Sequence, residues 1–525
     1  MCFSERRARL PRPRGAYAGA GAAGITAAIV SLLTIAGPAT AAPLDEPFVG
    51  GLAFTGPTSA NLGAIYWNPA ALGLVRGFQL MVAGSGRLST IDVNRTPIDP
   101  ATGAPLAGGM QAGSAQARDL TYPSPLGPNS YFALSTDFGG DRFTIGFATY
   151  MPYLQRVNFP LSRNSDEPTR YQVLTMDLRN VALVPALSIR FGGDFRVGFA
   201  PGFLFSTGHL SFREDLALDG GQAGLDGDCM PGVPCNAENP RAVARYAIAS
   251  GYGFGESKFS VTLGAGIYYR RRAVEFGLAY QSRPLGSDVS GVEVAGQRST
   301  VVAPPIDPMG GGVLGCPNGQ AGRCVFGDIS YRLPDVWIAG ATWRLGPGLE
   351  LTAMVRWLWL SVHDRIDVRM SGPPLDQGNR NIPQHVVLYR GFKDVWDTRV
   401  RVSYWWRERV RVGAMLRFET SAVDDNAVNA AAVDGLKLQP VGLIEIRILR
   451  QLWLGGGYGV TFMRAVDVTN SAFDPTAATT CANPPANNLA SEACQARDAG
   501  RARPTAAGHY TAQTHDFGLT MTLKF

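Results

Sequence analysis

The sequence predicts an all-β fold: a transmembrane antiparallel β-barrel of about 14 strands, with a small N-terminal hatch in its lumen. Three observations carry that prediction. From Gly77 onward, strand-like segments recur in which every second residue is apolar, the period of a sheet with one greasy face. The connections between these segments alternate in length, short then long. Charged residues are only 17% of the 525 positions against 46% hydrophobic, whereas an ordinary soluble chain carries about 25% charged residues. Low charge with high hydrophobicity excludes a disordered chain. Only one stretch approaches the length of about 20 apolar residues that a membrane helix needs, which excludes a helical bundle.

In chain order, residues 1–41 read as a secretory signal. Arg6, Arg7, Arg9, Arg12 and Arg14 form its positive start, Ile25 to Ile35 its apolar centre, and Ala39-Thr40-Ala41 the small-residue cleavage site before Ala42. The alternative is an uncleaved membrane anchor. Cys2 precedes the apolar centre, which argues against a lipoprotein signal. Five arginines and Glu5 give this segment a net charge of +4, so its removal lowers the chain from +6 to +2. A mature charge so small offers no general attraction to nucleic acid.

Residues 42–76 are expected to form the hatch. Gly50-Gly51, Gly56-Pro57 and Asn68-Pro69 break any regular period. Ala64-Ile65-Tyr66-Trp67 and Ala70 to Leu74 are nevertheless too apolar for a tail hanging free. A 14-strand barrel is wider than the eight-strand size that side chains fill alone, so the segment is expected inside it.

Residues 77–525 are expected to form the barrel. Val400, Val402, Tyr404 and Trp406 share one face, as do Val412, Ala414, Leu416 and Phe418, and Phe517, Leu519, Met521, Leu523 and Phe525. Short turns fall at 139–141, 192–194, 270–272, 346–348, 407–408 and 450–451; long connections at 94–128, 153–178, 215–257, 284–327, 371–394, 422–434 and 471–507. Short turns on one side and long loops on the other are the pattern of bacterial outer-membrane barrels, and the final strand ends on the aromatic Phe525. A soluble sandwich would turn the apolar faces toward each other instead. Pro185 and Met151-Pro152-Tyr153 interrupt strands, because proline supplies no ladder donor; a bulge or bend is expected at each. The six cysteines beyond the signal fall into three close pairs: Cys229 with Cys235, Cys316 with Cys324, and Cys481 with Cys494, all in long connections. Local disulfides are the economical reading among the fifteen possible connectivities. No histidine accompanies them, so no metal is expected.

Trp67-Asn68-Pro69-Ala70-Ala71-Leu72, with Asn61 shortly before it, resembles the Asn-Pro-Ala hatch motif of the FadL-like family of long-chain fatty acid and aromatic-hydrocarbon transporters. Further segments along the chain are similar to that family: Phe143 to Phe147 with Pro152-Tyr153, Gly277 to Ser282, Leu333-Pro334-Asp335 with Trp357 to Ser361, and Lys393-Asp394-Val395-Trp396. The resemblance implies uptake of a hydrophobic small molecule, a fatty acid or hydrocarbon, across the outer membrane of a Gram-negative cell. It implies capture at the loops, a lumenal pocket, movement of a hatch that includes Asn61, Trp67, Asn68, Pro69 and Ala70, and lateral exit beside an inward-kinked third strand. Tyr150, Met151, Pro152 and Tyr153 are the candidates for that opening. The chain is expected to act as a monomer in outer-membrane lipid, without cofactor or nucleic acid.

Charged side chains on the polar face add one candidate site. Arg399, Arg401, Arg411, Arg417 and Arg447, with Glu419 and Glu445, point inward by parity. They suit either a ladder of ion pairs fixing hatch to wall, the plainer reading, or a bidentate grip on a carboxylate head group. Trp405 and Tyr268 share the inward face, as lining of an apolar path or as space-fillers. No catalytic constellation stands out among five scattered histidines, so an enzyme is not expected. A structural or adhesive barrel and a hydrophilic porin are the alternative functions.

Overall fold

In the computed structural model the alternating segments become fourteen strands that close on themselves. The structure describes residues 54–96, 113–121, 130–159, 168–169, 172–173, 175–215, 243–249, 260–285, 292–296, 301–302, 313–314, 326–371, 385–473 and 506–525. The signal segment and residues 42–53 of the expected hatch lie outside these. So do the six cysteines expected to form local disulfides: Cys229 and Cys235, Cys316 and Cys324, Cys481 and Cys494.

The barrel strands, in chain order, are β1 (Gln79–Arg95), β2 (Ser130–Thr136), β3 (Phe143–Asn158), β4 (Thr175–Arg190), β5 (Phe195–Asp215), β6 (Ser260–Arg271) and β7 (Val274–Gln281). They continue as β8 (Val336–Gly346), β9 (Leu349–Leu358), β10 (Val395–Trp406), β11 (Val410–Glu419), β12 (Lys437–Arg447), β13 (Leu452–Met463) and β14 (Gly508–Lys524). Each pairs antiparallel with the next, and β1 pairs with β14 from Gln79↔Lys524 to Arg95↔Gly508. Closure follows from the solvent: a sheet edge in hydrocarbon leaves backbone groups unpaired, and only a closed ladder satisfies them all. The seal is finished by Phe525, whose N–H donates to Phe78 O at 2.9 Å.

The faces point as alternation requires. Val400, Val402, Tyr404, Trp406, Val412, Leu416, Phe418, Leu519 and Phe525 are all exposed on the outside, while Arg399, Arg401, Ser403 and Arg417 are buried within. A two-sheet sandwich would have reversed this. Six short turns fall where the sequence placed them. Gly139, Gly192, Gly193 and Gly348 occupy left-handed backbone there, a conformation that glycine enters without a Cβ clash.

The kink expected at Met151-Pro152-Tyr153 is present as a register shift between Tyr150 and Tyr153, but β3 continues through it to Asn158, past the expected start of the connection at 153–178. Pro185 causes no bulge toward β3, where Phe147↔Pro185 stays in register; its effect falls on the other side, toward β5. Within the connection at 94–128, Gly113–Thr121 forms a strand that pairs with β1 over Arg87–Arg95, while β2 pairs with β1 only over Gln79–Gly84. Among the described residues, β2 meets β3 only between Tyr131↔Tyr150 and Thr136↔Ile145. The loops also hold a four-stranded sheet in the order Val292–Gly296, Phe326–Tyr331, Arg365–Ser371, His385–Tyr389.

Candidate functional site

The site is built around residues 54–76, which lie against the inward face of the wall. Gly63 leads into one helical turn, Ala64–Trp67, and Asn68 caps a following 3-10 turn, Pro69–Leu74. Proline at the first position suits such a turn because its missing N–H would be unused there. Asn68 is fully buried and uses its whole amide. Its Nδ2 donates to Pro57 O at 2.8 Å and to Ile267 O of β6 at 2.9 Å, while Oδ1 accepts from Ala70 N at 3.1 Å. One side chain therefore shapes the turn and fastens it to the barrel. Asn61 acts more locally, accepting from Gly63 N at 3.1 Å and donating to Phe54 O at 3.3 Å.

The wall is shaved to receive this segment. A Cβ on Gly198 of β5 would lie 2.1 Å from Ala70 N, and one on Gly266 of β6 would lie 2.1 Å from Asn68 Oδ1. Ser188 of β4 donates to Ala70 O at 2.9 Å, Tyr131 of β2 to Leu62 O at 2.8 Å, and Gln281 of β7 to Tyr66 O at 2.5 Å.

Trp67 is 1% exposed and packs against two guanidinium groups, Arg356 at 5.3 Å and Arg399 at 4.8 Å from its ring centre. Both bind Asp397, which also takes Arg417 at 3.1 Å; Arg399 reaches it at 2.6 Å and Arg356 at 3.3 Å. Arg356 also donates to the Tyr66 hydroxyl at 3.2 Å. Glu419 continues the network between Arg417 and Lys437. Arg401 donates to Thr55 O at 2.7 Å, and Arg411 pairs with Glu350 while lying 4.2 Å from the Phe54 ring centre. Four of the five candidate arginines thus contact the N-terminal segment or an internal carboxylate. The fifth, Arg447, stacks over Trp453. Tyr268 is buried beneath Arg196, and Trp405 packs edge-on against Trp453.

The candidates on β3 converge on a cavity. From Phe143 to Tyr150 exposure alternates; from Tyr150 to Gln155 every residue is buried, so the strand leaves the outer surface at its register shift. Tyr150 stacks on Tyr131 and meets Tyr66 edge-on at 5.4 Å. Tyr153 donates to Pro334 O at 3.3 Å. Beside them lies a cavity that is partly open to solvent. Ile65, Tyr66 and Pro69 bound it on one side, Tyr150, Pro152 and Tyr153 on another, and Val184, Ala200, Leu204 and Thr262 on a third. Met151 is buried but does not line it.

Farther out lie two groups that sequence reasoning does not single out. Arg390 is buried with neutral partners, donating to Gln155 Oε1 at 2.8 Å and lying over Phe392. Burial pulls its guanidinium down to about 10. His363 donates from Nδ1 to Arg332 O at 2.6 Å, and burial together with nearby Arg390 lowers it to about 3, so it stays neutral. Asp335, which holds Arg283 at 2.6 Å and Tyr280 at 2.7 Å, fixes the outer ends of β7 and β8. No cluster of side chains suited to a metal occurs among the described residues.

A family model described as outer membrane protein transport protein (OMPP1/FadL/TodX) matches residues 29–435. The crystal structure of a Pseudomonas aeruginosa FadL homologue superposes with a TM-score of 0.67 at 14% identity, covering 93% of this chain and 100% of that one. The Pseudomonas putida toluene transporter TodX gives 0.57 at 10% identity, covering 93% and 99%. The Ralstonia pickettii toluene transporter TbuX gives 0.51 at 12%, covering 92% and 98%. At such identities the structural likeness is one of fold. The search among curated proteins returns no match.

Proposed function

We infer the function from one premise: the chain belongs to the outer membrane protein transport family (OMPP1/FadL/TodX). It is an outer-membrane channel for hydrophobic compounds and not an enzyme. Two similar structures are of toluene transporters and a third is of a FadL homologue. We propose that the cargo is a long-chain fatty acid or an aromatic hydrocarbon, held in the cavity between residues 65–69 and β3.

The supporting observation is the composition of that cavity, walled mainly by Ile65, Tyr66, Pro69, Val184, Ala200 and Leu204, with Thr262, Gln281 and Ser282 as its polar neighbours. A hydrocarbon gains about 0.8 kcal/mol for each CH₂ withdrawn from water. Such a ligand is poorly served by a wet pore and well served by a dry pocket with an exit that avoids water. In the proposed route, the loops capture it, residues 42–76 act as a hatch and shift, and it leaves sideways past Tyr150, Met151, Pro152 and Tyr153 into the membrane. The inward path of β3 and its short pairing with β2 support an opening there.

The test is equilibrium binding and uptake of radiolabelled palmitate and toluene, with a double variant, Tyr150→Ala plus Pro152→Ala, beside the unmodified chain. Loss of binding in the variant is expected. Equal binding and uptake in both would reject the cavity as the ligand site.

A further inference from the structure

The β4–β5 ladder contains a break that the β3 kink does not explain. Pairs run from Thr175↔Ser211 to Leu183↔Phe203 and resume from Leu187↔Phe199 to Arg190↔Arg196. Three consecutive positions between them are unpaired, and the register sets Pro185 directly opposite Pro201. Neither proline has an N–H. In an antiparallel pair, directly opposed residues alternate between exchanging two hydrogen bonds and exchanging none. If this position is a bonded rung, both of its bonds are impossible, and the two flanking pairs, defined by the same bonds, vanish with it. That is the observed pattern.

The break is confined to one seam. On their far sides both prolines remain in register, Pro185 with Phe147 of β3 and Pro201 with Leu263 of β6. The nearest bonded rungs, at Leu183↔Phe203 and Leu187↔Phe199, are four residues apart, about 13 Å along the strand instead of the usual 7 Å or so. Pro185 lies five residues from the periplasmic end of β4 at Arg190, about 12 Å of height in a tilted strand, near the middle of an apolar band about 25 Å tall.

Both sides of the seam suit a greasy molecule. The inward residues are small: Val184, Ala186, Ala200 and Gly202, of which Val184 and Ala200 line the cavity. The outward residues are the two exposed prolines, with Phe199 and Phe203 at 51% and 41% exposure. Directly below, Ser188 donates to Ala70 O and Gly198 leaves room for the Ala70 backbone, so the seated N-terminal segment meets the wall at the foot of the seam. Where a ladder is intact, parting two strands would strip hydrogen bonds in hydrocarbon with no water to replace them; the β12–β13 ladder skips only Gln439 and Pro440. Here the bonds do not exist.

We propose that Pro185 and Pro201 form a lateral portal between β4 and β5, through which an alkyl chain or aromatic ring passes from the cavity into the membrane. The portal is separate from the opening at β3 and rests on the transport reading above. Its test restores the missing donors with a double variant, Pro185→Val plus Pro201→Val, valine being suited to a lipid-facing strand position. Heat-modifiable migration on gels reports assembly. Binding of palmitate and toluene to the purified protein and their uptake by cells expressing it are measured side by side. Binding kept with uptake lowered at least fivefold supports the portal. Binding kept with uptake unchanged overturns the portal and leaves the transport reading standing. Absence of binding and uptake in the unmodified chain overturns both. The single variants, each restoring one donor, give intermediate losses if the portal operates and none if it does not, and they decide the matter should the double variant fail to assemble.

Discussion

Asp397→Asn is the sharpest perturbation of the link between residues 54–76 and the wall. Asp397 is fully buried and takes Arg356, Arg399 and Arg417 at 3.3, 2.6 and 3.1 Å. Removing the anion from a buried ion pair costs about 3–5 kcal/mol, because the remaining charge has no compensation. Glu419 continues to hold Arg417, while Arg356 and Arg399 lose the Asp397 charge. These two pack against Trp67. Each desolvated cation–π contact contributes about 1–2 kcal/mol, and the Arg356 bond to Tyr66 about 1 kcal/mol more. If most of this is lost, seating of residues 54–76 against the wall weakens by about 3 kcal/mol, a shift of more than a hundredfold toward the unseated state. Planar-bilayer recordings read the change directly, as frequent openings on a quiet baseline. Combining Asp397→Asn with Arg399→Gln removes one surplus cation with the anion and should recover much of the quiet state. Traces indistinguishable between the unmodified chain and Asp397→Asn would refute the clamp. So would a double variant as noisy as the single one.

Gly198→Val should unseat the same segment sterically, since even a Cβ would stand 2.1 Å from the Ala70 backbone nitrogen, which cannot swing aside as a side chain would; raised conductance with unchanged barrel assembly is expected. Val402→Arg places a charge on the lipid face of β10, where Val402 is 47% exposed; folding into phosphatidylcholine vesicles should weaken by about 2–4 kcal/mol in urea titration, and Arg401→Ala, facing inward, should show no such lipid-dependent loss. His363 is held at about 3, below the value of about 6.5 it takes when exposed. The opened state therefore binds a proton that the closed state refuses, so closure is fully stable above about pH 6.5 and weakens by about 1.4 kcal/mol per pH unit as pH falls toward 3. Hydrogen exchange of the Leu360–Val362 turn, corrected for intrinsic rates, should show that slope, and His363→Phe should flatten it.

What could be read from the sequence was what hydrocarbon dictates. A lipid-facing row admits few charges, so alternation at Val400 to Trp406 or Phe517 to Phe525 is visible over a whole strand, and the count of strands follows from the turns between them. The loops carry no such constraint. The sheet made by Val292–Gly296, Phe326–Tyr331, Arg365–Ser371 and His385–Tyr389 pairs segments far apart in the chain, and nothing local marks which will meet. The inward arginines were legible by parity, but their partners were not. Asp397 stands two residues from Arg399, on the same face, and that spacing was the available signal. Arg390 had none, because its burial depends on Gln155 and Ala431, which reach it from other elements.

The opposed prolines are a different case, since the register that brings them together was already implicit in a turn. Gly192-Gly193-Asp194 fixes a hairpin, and Pro185 and Pro201 stand eight residues before and eight after Gly193. Folding the chain about that point sets one against the other with no further information. A single proline in a barrel wall removes one donor. Two at mirror positions remove a whole rung while leaving each strand bonded to its outer neighbour. In a medium where every other backbone group has to find a partner, a local rule broken twice at one height beside an apolar cavity fits a functional opening better than a tolerated defect. Comparing proline positions about hairpin turns, rather than strand by strand, is therefore the reading of a barrel sequence most apt to reveal seams of this kind.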